Sequence, residues 1–459
     1  MTLAFLPALE QARLVREREV KPVELVQEYL DRIERLDPEL NTYVTVVGDQ
    51  ALRDAASPPP GPFSGVPLPI KDLAETAGIR TTFSCRAFAD HVPERDIEVV
   101  RRLRAAGFVI LGKTNTPEFG TTAVTESELN GVCRNPWDRT RTPGGSSGGA
   151  AAAVAAGLAP IAQGSDGGGS IRIPASCCGL FGIKPTRGRV SPAPYGDAYG
   201  FSVPGPLART VADAAAFLDV TAGSEPGDPY VAAPPERPFV EEVGVAPGRL
   251  RICLALDPPH PTSVDPACAA AAEDAGELLS ELGHEVETAS PPEGPAMLEQ
   301  LFAVVWQTIP TLYPVEDGAL LEPMNAAFAA RARATSSEQY VKAYVALQQE
   351  ARAFAEFCAR FDVVLTPTLA LPPVPVGWVR EPSDPWQQYM RAGEFTPFTP
   401  SVNVAGLPAA SVPLAWTDDG LPLGIHLIGR AGGEAVLLRL AAQLEEARPW
   451  IDKLPPGVD

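Results

Sequence analysis

Three times along the chain a helical stretch runs into a glycine and then directly into a short apolar strand. Arg95–Ala106 meets Gly107 and Phe108–Leu111, Ala150–Ala156 meets Gly157 and Leu158–Ala162, and Pro266–Leu282 meets Gly283 and His284–Thr288. Glycine just past a helix is a favoured stop because the left-handed backbone costs it nothing. Amphipathic helices alternating with apolar strands bury both by covering a sheet, which predicts an α/β fold. The style returns near the C-terminus, with strands predicted at 409–416 and 423–430 and a helix at 433–447. The sheet therefore draws on both ends of the chain. Length alone suggests two or three domains for 459 residues, but this continuity favours a single domain over 1–459, with a core at about 60–220 and 395–450.

Two further helices are predicted at 8–19 and 23–36, the second from the helical spacing of Leu25, Tyr29, Ile33 and Leu36 behind Pro22. Ser57–Pro62 reads as a surface loop. The stretch from about 225 to 395 is rich in proline and acidic residues, carries a helix predicted over 335–360, and reads as a variable region able to shape a pocket.

A net charge of −20 opposes binding to nucleic acid or anionic lipid, and no dense run of Lys and Arg offsets it. The start, MTLAFLPALEQARLVR, lacks the pattern of a secretory signal. The least polar run, Gly148–Ala162, is broken by Gly157 and Pro160 and makes a poor membrane span. Seven cysteines without a C-x-x-C pair read as reduced thiols of a cytoplasmic protein.

Two motifs fail on physical grounds. Gly107–Thr114 matches the phosphate-loop pattern, yet its four intervening residues, Phe-Val-Ile-Leu, suit a buried strand rather than a loop of amides around phosphates. Gly144–Gly148 fits G-x-S-x-G, yet no strand precedes it. Of the four histidines, His91, His260, His284 and His426, each has a more natural structural role than that of a base.

The chemistry concentrates elsewhere. Between Pro143 and Ile171 the only ionisable charge is Asp166, and glycine supplies 11 of the 39 residues from 144 to 182. Such a segment either packs tightly or lines a site. Gly167, Gly168, Gly169 and Ser170 can set successive N–H groups around one oxygen, the architecture of an oxyanion hole, with the Ser170 hydroxyl beside it. Pro174 suits the first turn of a short helix that follows. A serine nucleophile needs a base, and with histidine unconvincing, lysine is next. Lys71 ends the apolar run Pro67–Ile70. Its ordinary pKa is about 10.4, so neutrality near pH 7 costs about 4 kcal/mol, which burial can supply. On spacing alone, a salt bridge from Lys71 to Asp72 or elsewhere is the simpler alternative.

Lys71, then Pro143-Gly-Gly-Ser-Ser-Gly-Gly149, then Gly164-Ser-Asp-Gly-Gly-Gly-Ser-Ile-Arg-Ile-Pro174 together resemble the amidase signature family of serine amidohydrolases. The resemblance is strongest over 60–215 and continues through Phe361–Thr368 and Phe398–Arg430. It implies an α/β body around a mixed sheet of about eleven strands flanked by helices, with no cofactor or metal. It implies Ser170 as nucleophile, Ser146 (behind a cis peptide bond) as proton relay and Lys71 as base. The backbone of Gly167, Gly168, Gly169 and Ser170 then forms the oxyanion hole. Asp166, Arg172 and Ser147 read as supports, and Gly120 and Thr121 as substrate contacts. Trp306, Tyr313, Phe328 and Trp378 of the variable region are further candidates. Cys177 and Cys178 read as small buried residues.

The resulting expectation is an amidase that cleaves a linear or cyclic small-molecule amide to acid plus amine or ammonia. Base rates favour a homodimer. Two alternatives stand beside it. One is the glutaminase subunit of a tRNA-dependent amidotransferase, against which stand Ile173 in place of the usual glutamine and Pro117 in place of the usual aspartate. The other is an inactive binding protein on the same scaffold, against which stands the joint presence of Lys71, Ser146 and Ser170.

Overall fold

The computed structural model describes residues 3–196, 198–259, 262–292 and 301–458. In chain order the strands are β1 (Tyr43–Val46), β2 (Pro67–Lys71), β3 (Val109–Thr114), β4 (Glu126–Ser127), β5 (Gly131–Val132), β6 (Ile161–Asp166) and β7 (Phe181–Lys184). They continue as β8 (Val203–Ala208), β9 (Arg251–Leu254), β10 (Glu285–Thr288), β11 (Val363–Pro367), β12 (Ala409–Trp416) and β13 (Pro422–Gly429). Eleven of them form one sheet in the order β1-β3-β2-β6-β8-β7-β12-β13-β11-β9-β10, while β4 and β5 pair separately. The sheet is mixed. Strand β2 runs parallel to β3 and β6, and β9 parallel to β10 and β11, whereas β6, β7, β8, β12 and β13 join antiparallel.

Strands from both ends of the chain share this sheet, as the recurring helix–glycine–strand unit requires. The region 225–395 is less separate than its composition suggests, because β9, β10 and β11 all come from it. The long helix expected there spans Ser337–Cys358 and opens with a capping box at Ser336 and Gln339. The two N-terminal helices span Ala8–Arg16 and Pro22–Leu40.

Helices cover the sheet on both faces. The helices Glu98–Ala105, Val211–Thr221, Pro266–Glu281 and Glu434–Ala447 pack their apolar sides against Leu68, Ile110, Ile183, Val412 and Ile425 in the largest cluster. On the other side the helix Gly148–Ala155 is buried around its whole circumference. That corrects the amphipathic reading of Ala150–Ala156: a helix this rich in alanine and glycine has no polar face to show to water. Gly149 permits the fit, since a side chain there would drive into the backbone of Thr42 at 2.6 Å.

Strand boundaries shift in an informative way. The strand expected at Leu158–Ala162 lies at Ile161–Asp166, so it runs straight into the glycine motif. The Phe108–Leu111 strand extends to Thr114 and takes in Gly112 and Lys113, which settles the phosphate-loop pattern as a buried strand. Because β2 and β6 are parallel, their carboxyl ends, Lys71 and Asp166, open on the same edge of the sheet. That edge is where open α/β sheets place ligands.

Candidate active site

Lys71 is fully buried at the end of β2. Its Nζ lies 2.7 Å from Ser146 Oγ, 3.2 Å from Ser165 Oγ and 3.4 Å from Ser165 O. The predicted alternative, a salt bridge to Asp72, does not form: the Asp72 carboxylate accepts from the Thr82 amide and hydroxyl instead. Burial drives the Lys71 pKa down to about 7, with Asp166 pulling the other way. The amine therefore exchanges its charge near neutral pH.

Ser146 follows a cis Gly145–Ser146 peptide bond. Its neighbour Ser147 makes three bonds across the site: the Ser147 amide donates to Ser170 O at 3.2 Å, the Ser147 hydroxyl donates to Ser165 O at 3.2 Å, and it accepts from the Ser165 amide at 3.3 Å. The segment carrying Ser146 is thereby clamped to both the end of β6 and the glycine turn that carries Ser170. Gly120 closes the opposite side. Its φ of +70° lies in the left-handed region, and a Cβ there would sit 3.0 Å from Ser146 Oγ and 2.6 Å from Leu73.

The turn Gly167–Ser170 is held from below by charge. Asp166 and Arg172 are both fully buried, and pair through Nε–Oδ2 and Nη2–Oδ1 contacts of 2.9 Å each. Burial alone raises the Asp166 pKa, but Arg172 and then Lys184 overcome it and hold the carboxylate well below its usual range. The guanidinium also reaches Thr399 O, Asn403 Oδ1 and His426 Nε2, at 3.2, 2.5 and 3.0 Å. Asn403 Nδ2 donates back to Asp166 O and Oδ1 at 2.9 Å each. Thr399 Oγ1 donates to Gly168 O at 2.7 Å.

The Gly169 amide departs from its expected place in the oxyanion hole. It donates to Asp166 Oδ1 at 2.7 Å, so it braces the turn instead of facing a ligand. A buried carboxylate is a stronger acceptor than any neutral oxygen, and it claims that donor. Gly169 has φ +128°, and a Cβ there would strike Ile173 at 2.7 Å. The Ile171 amide likewise donates to Asp166, at 3.1 Å.

Lys71, Ser146, Ser165, Gly167 and Ser170 line one cavity of about 330 Å³. A second, of about 60 Å³, adjoins Ser170 on the side of Gly168, Thr121 and Ile173. Gly120 and Ser170 belong to both, and Thr121 to the smaller. Of the four aromatic candidates, Trp306 lines both cavities and Tyr313 the larger. Phe328 packs instead edge-on against Tyr389, and Trp378 lies under Arg391.

The histidines take structural places. His426 is buried between Arg172 and Thr366, with burial and then Arg172 pushing its pKa far down, so it stays neutral. His284 bridges the Leu250 amide and Gln443, His91 faces Glu75, and His260 lies outside the described residues. Cys177 and Cys178 are buried with raised thiol pKa values. Among the described residues no cluster of three or more His, Cys, Asp or Glu side chains is placed to hold a metal. No described helix is long and apolar enough to cross a membrane.

Sequence reasoning missed Gln163 and Ser165, which meet the Lys71 amide (3.0 Å) and the Lys71 amine respectively. Their two-residue spacing in the strand leading into the glycine turn was the available signal. It missed Asn403 and Thr399 as well, because they sit more than two hundred positions away from the turn they support.

A buried lysine, two serines and a glycine turn on one mixed eleven-stranded sheet define a serine amidohydrolase scaffold, and the Amidase family model matches residues 24–438. The chain belongs to the amidase signature family and is an enzyme of amide-bond hydrolysis. It is 39% identical to a putative amidase of Synechocystis sp., over 96% of this chain and 88% of that one. It is 36% identical to the 6-aminohexanoate-cyclic-dimer hydrolase of Paenarthrobacter ureafaciens, over 98% and 96%. A solved structure of 6-aminohexanoate cyclic dimer hydrolase superposes with a TM-score of 0.94 at 34% identity, covering 100% of both chains.

Proposed function

We propose that amide cleavage proceeds through an acyl-enzyme on Ser170, with Ser146 relaying the proton to neutral Lys71. The observation that carries this reading is the 2.7 Å contact of Lys71 Nζ with Ser146 Oγ inside a cavity that Ser170 shares. Uncharged Lys71 takes the Ser146 proton as Ser146 takes that of Ser170. Ser170 Oγ then attacks the carbonyl carbon. The amides of Gly167, Gly168 and Ser170 face the developing oxyanion. The C–N bond breaks as the proton on Lys71 returns through Ser146 to the leaving nitrogen. Water repeats the path: it gives a proton to the relay, attacks the ester carbon, and Ser170 leaves with that proton restored.

Asp166, Arg172 and Ser147 position this machinery, and Gly120 and Thr121 border the substrate. A cytoplasmic location fits seven buried reduced cysteines. Nothing in the cavity favours the glutaminase reading, since Ile173 makes the nearby wall apolar.

Labelling with a serine-reactive phosphonate followed by peptide mass spectrometry tests the reading. The lone chain should release amine or ammonia from simple amides and carry one adduct, on Ser170. Adduct formation elsewhere, or turnover only of glutamine and only with a partner subunit, overturns it.

A further inference from the structure

The two cavities share Gly120, Ser170 and Trp306, and of these three only Trp306 carries a large side chain. Trp306 Nε1 donates to Thr121 O at 2.9 Å, and its ring stacks on Phe302 at 5.0 Å and 23°. The ring overlies the glycine turn so closely that a Cβ on Gly167 would lie 3.3 Å from Cη2, and one on Gly168 3.8 Å from it. The indole thus stands between the chamber of Gly168 and that of Gly167, pinned at its nitrogen and on its face.

We propose that Trp306 is the specificity-determining wall of the site, confining the acyl group to the small chamber and leaving the large one to the amine. The assignment rests on the catalytic reading above and follows from where the proton must go. Lys71 and Ser146 line only the large chamber, and the proton they hold has to reach the leaving nitrogen. The nitrogen and its substituent therefore occupy that side. The other substituent of the carbonyl points across Ser170, toward Gly168, Thr121 and Ile173.

Volume then sets size. The chamber of about 60 Å³ is much the tighter of the two and takes the shorter group, the acyl chain. The 330 Å³ chamber takes an aryl or larger amine, against walls that include Phe119 stacked on Tyr313 at 4.1 Å. Charge sets polarity. Among the described lining residues the small chamber has no ionisable acid or base except the Tyr389 phenol, and the large chamber has Lys71 as its only cation and no carboxylate. In the small chamber a substrate carboxylate or ammonium would be stripped of water without a partner, and an ammonium in the large chamber would meet no carboxylate, which is costly. The substrate class is an uncharged amide with a short acyl group and a bulkier, apolar amine.

A series of anilides with straight acyl groups from acetyl to octanoyl tests the assignment, with succinanilic acid as the charged member. Wild-type kcat/KM should be highest for the shortest acyl groups, fall at least tenfold by octanoyl, and be at least a hundredfold lower for the charged member. Trp306→Ala should merge the chambers and raise the octanoyl-to-acetyl ratio at least tenfold. Trp306→Phe, which keeps the stack on Phe302, should move that ratio less. A wild-type preference for octanoyl or for the charged member, or an unchanged ratio in a folded Trp306→Ala enzyme, overturns the assignment. The acyl-length order reads chamber space whichever side chain attacks. Phosphonate labelling of Ser170, run on the same preparation, reads the catalytic mechanism alone.

Discussion

Two clusters of fully buried charge-bearing groups flank the glycine turn, and they solve burial in opposite ways. Below it, Asp166 meets Arg172 in two parallel contacts and is further satisfied by Asn403 and two amides. Beside it, Lys71 meets only neutral oxygens of Ser146 and Ser165. The paired carboxylate stays charged, while the unpaired amine is driven toward neutrality near pH 7. Pairing makes a rigid support of one cluster, and the lack of a partner leaves the amine of the other free to serve as the base proposed above.

The largest effect that separates the two clusters belongs to the chemistry. Ser170→Ala should lower kcat by at least about 10³-fold with the fold intact, because the neighbouring hydroxyls of Ser146 and Ser165 are engaged with the Lys71 amine. Lys71→Arg should be nearly as inactive although it keeps a cation, since arginine does not deprotonate. Measured turnover of a folded Lys71→Arg enzyme within tenfold of wild type would remove the base role. The support cluster should answer in stability instead. Arg172→Met leaves Asp166 buried and unpaired and should cost about 3–5 kcal/mol in denaturant unfolding, with Asp166→Asn in the same chain recovering part of it. Equal stability of the single and double variants would show that the pair carries no such load. The smallest effect is expected at Thr399→Val, which deletes the 2.7 Å bond to Gly168 O. It should cost about 1 kcal/mol and lower kcat a few-fold through a looser turn. A full loss of activity there would mean that Thr399 touches the reaction.

The same contrast explains what was legible in the sequence. The Lys71 cluster is built from short motifs, so Ser170 and Lys71 could be named as candidates from residue type and Ser146 from the family resemblance, although spacing alone favoured a salt bridge for Lys71. The sheet was legible for a similar reason: glycine stops and apolar runs are local signals, though β6 begins three residues later than its hydrophobicity suggests because Pro160 has no amide to give to a ladder. The support cluster is assembled over long range. His426 comes from β13, and Thr399 and Asn403 from the start and middle of the helix Pro400–Ala405, all more than two hundred positions from Arg172, and no local pattern encodes that meeting. The Gly169 amide was misread for the same reason, since a glycine run shows which backbone angles are open but not which acceptor takes each N–H.

The pH dependence of Ser170 phosphonylation reads the charge of residue 71 through the reaction it serves, without the complications of product release. Only the neutral amine accepts a proton, and burial places its pKa at about 7, so the rate should climb with pH to a midpoint near 7 and then level. Lys71→Met should abolish that rise. A rate that is flat from pH 5 to 8, or that rises only toward the ordinary lysine value of about 10.4, would contradict the account.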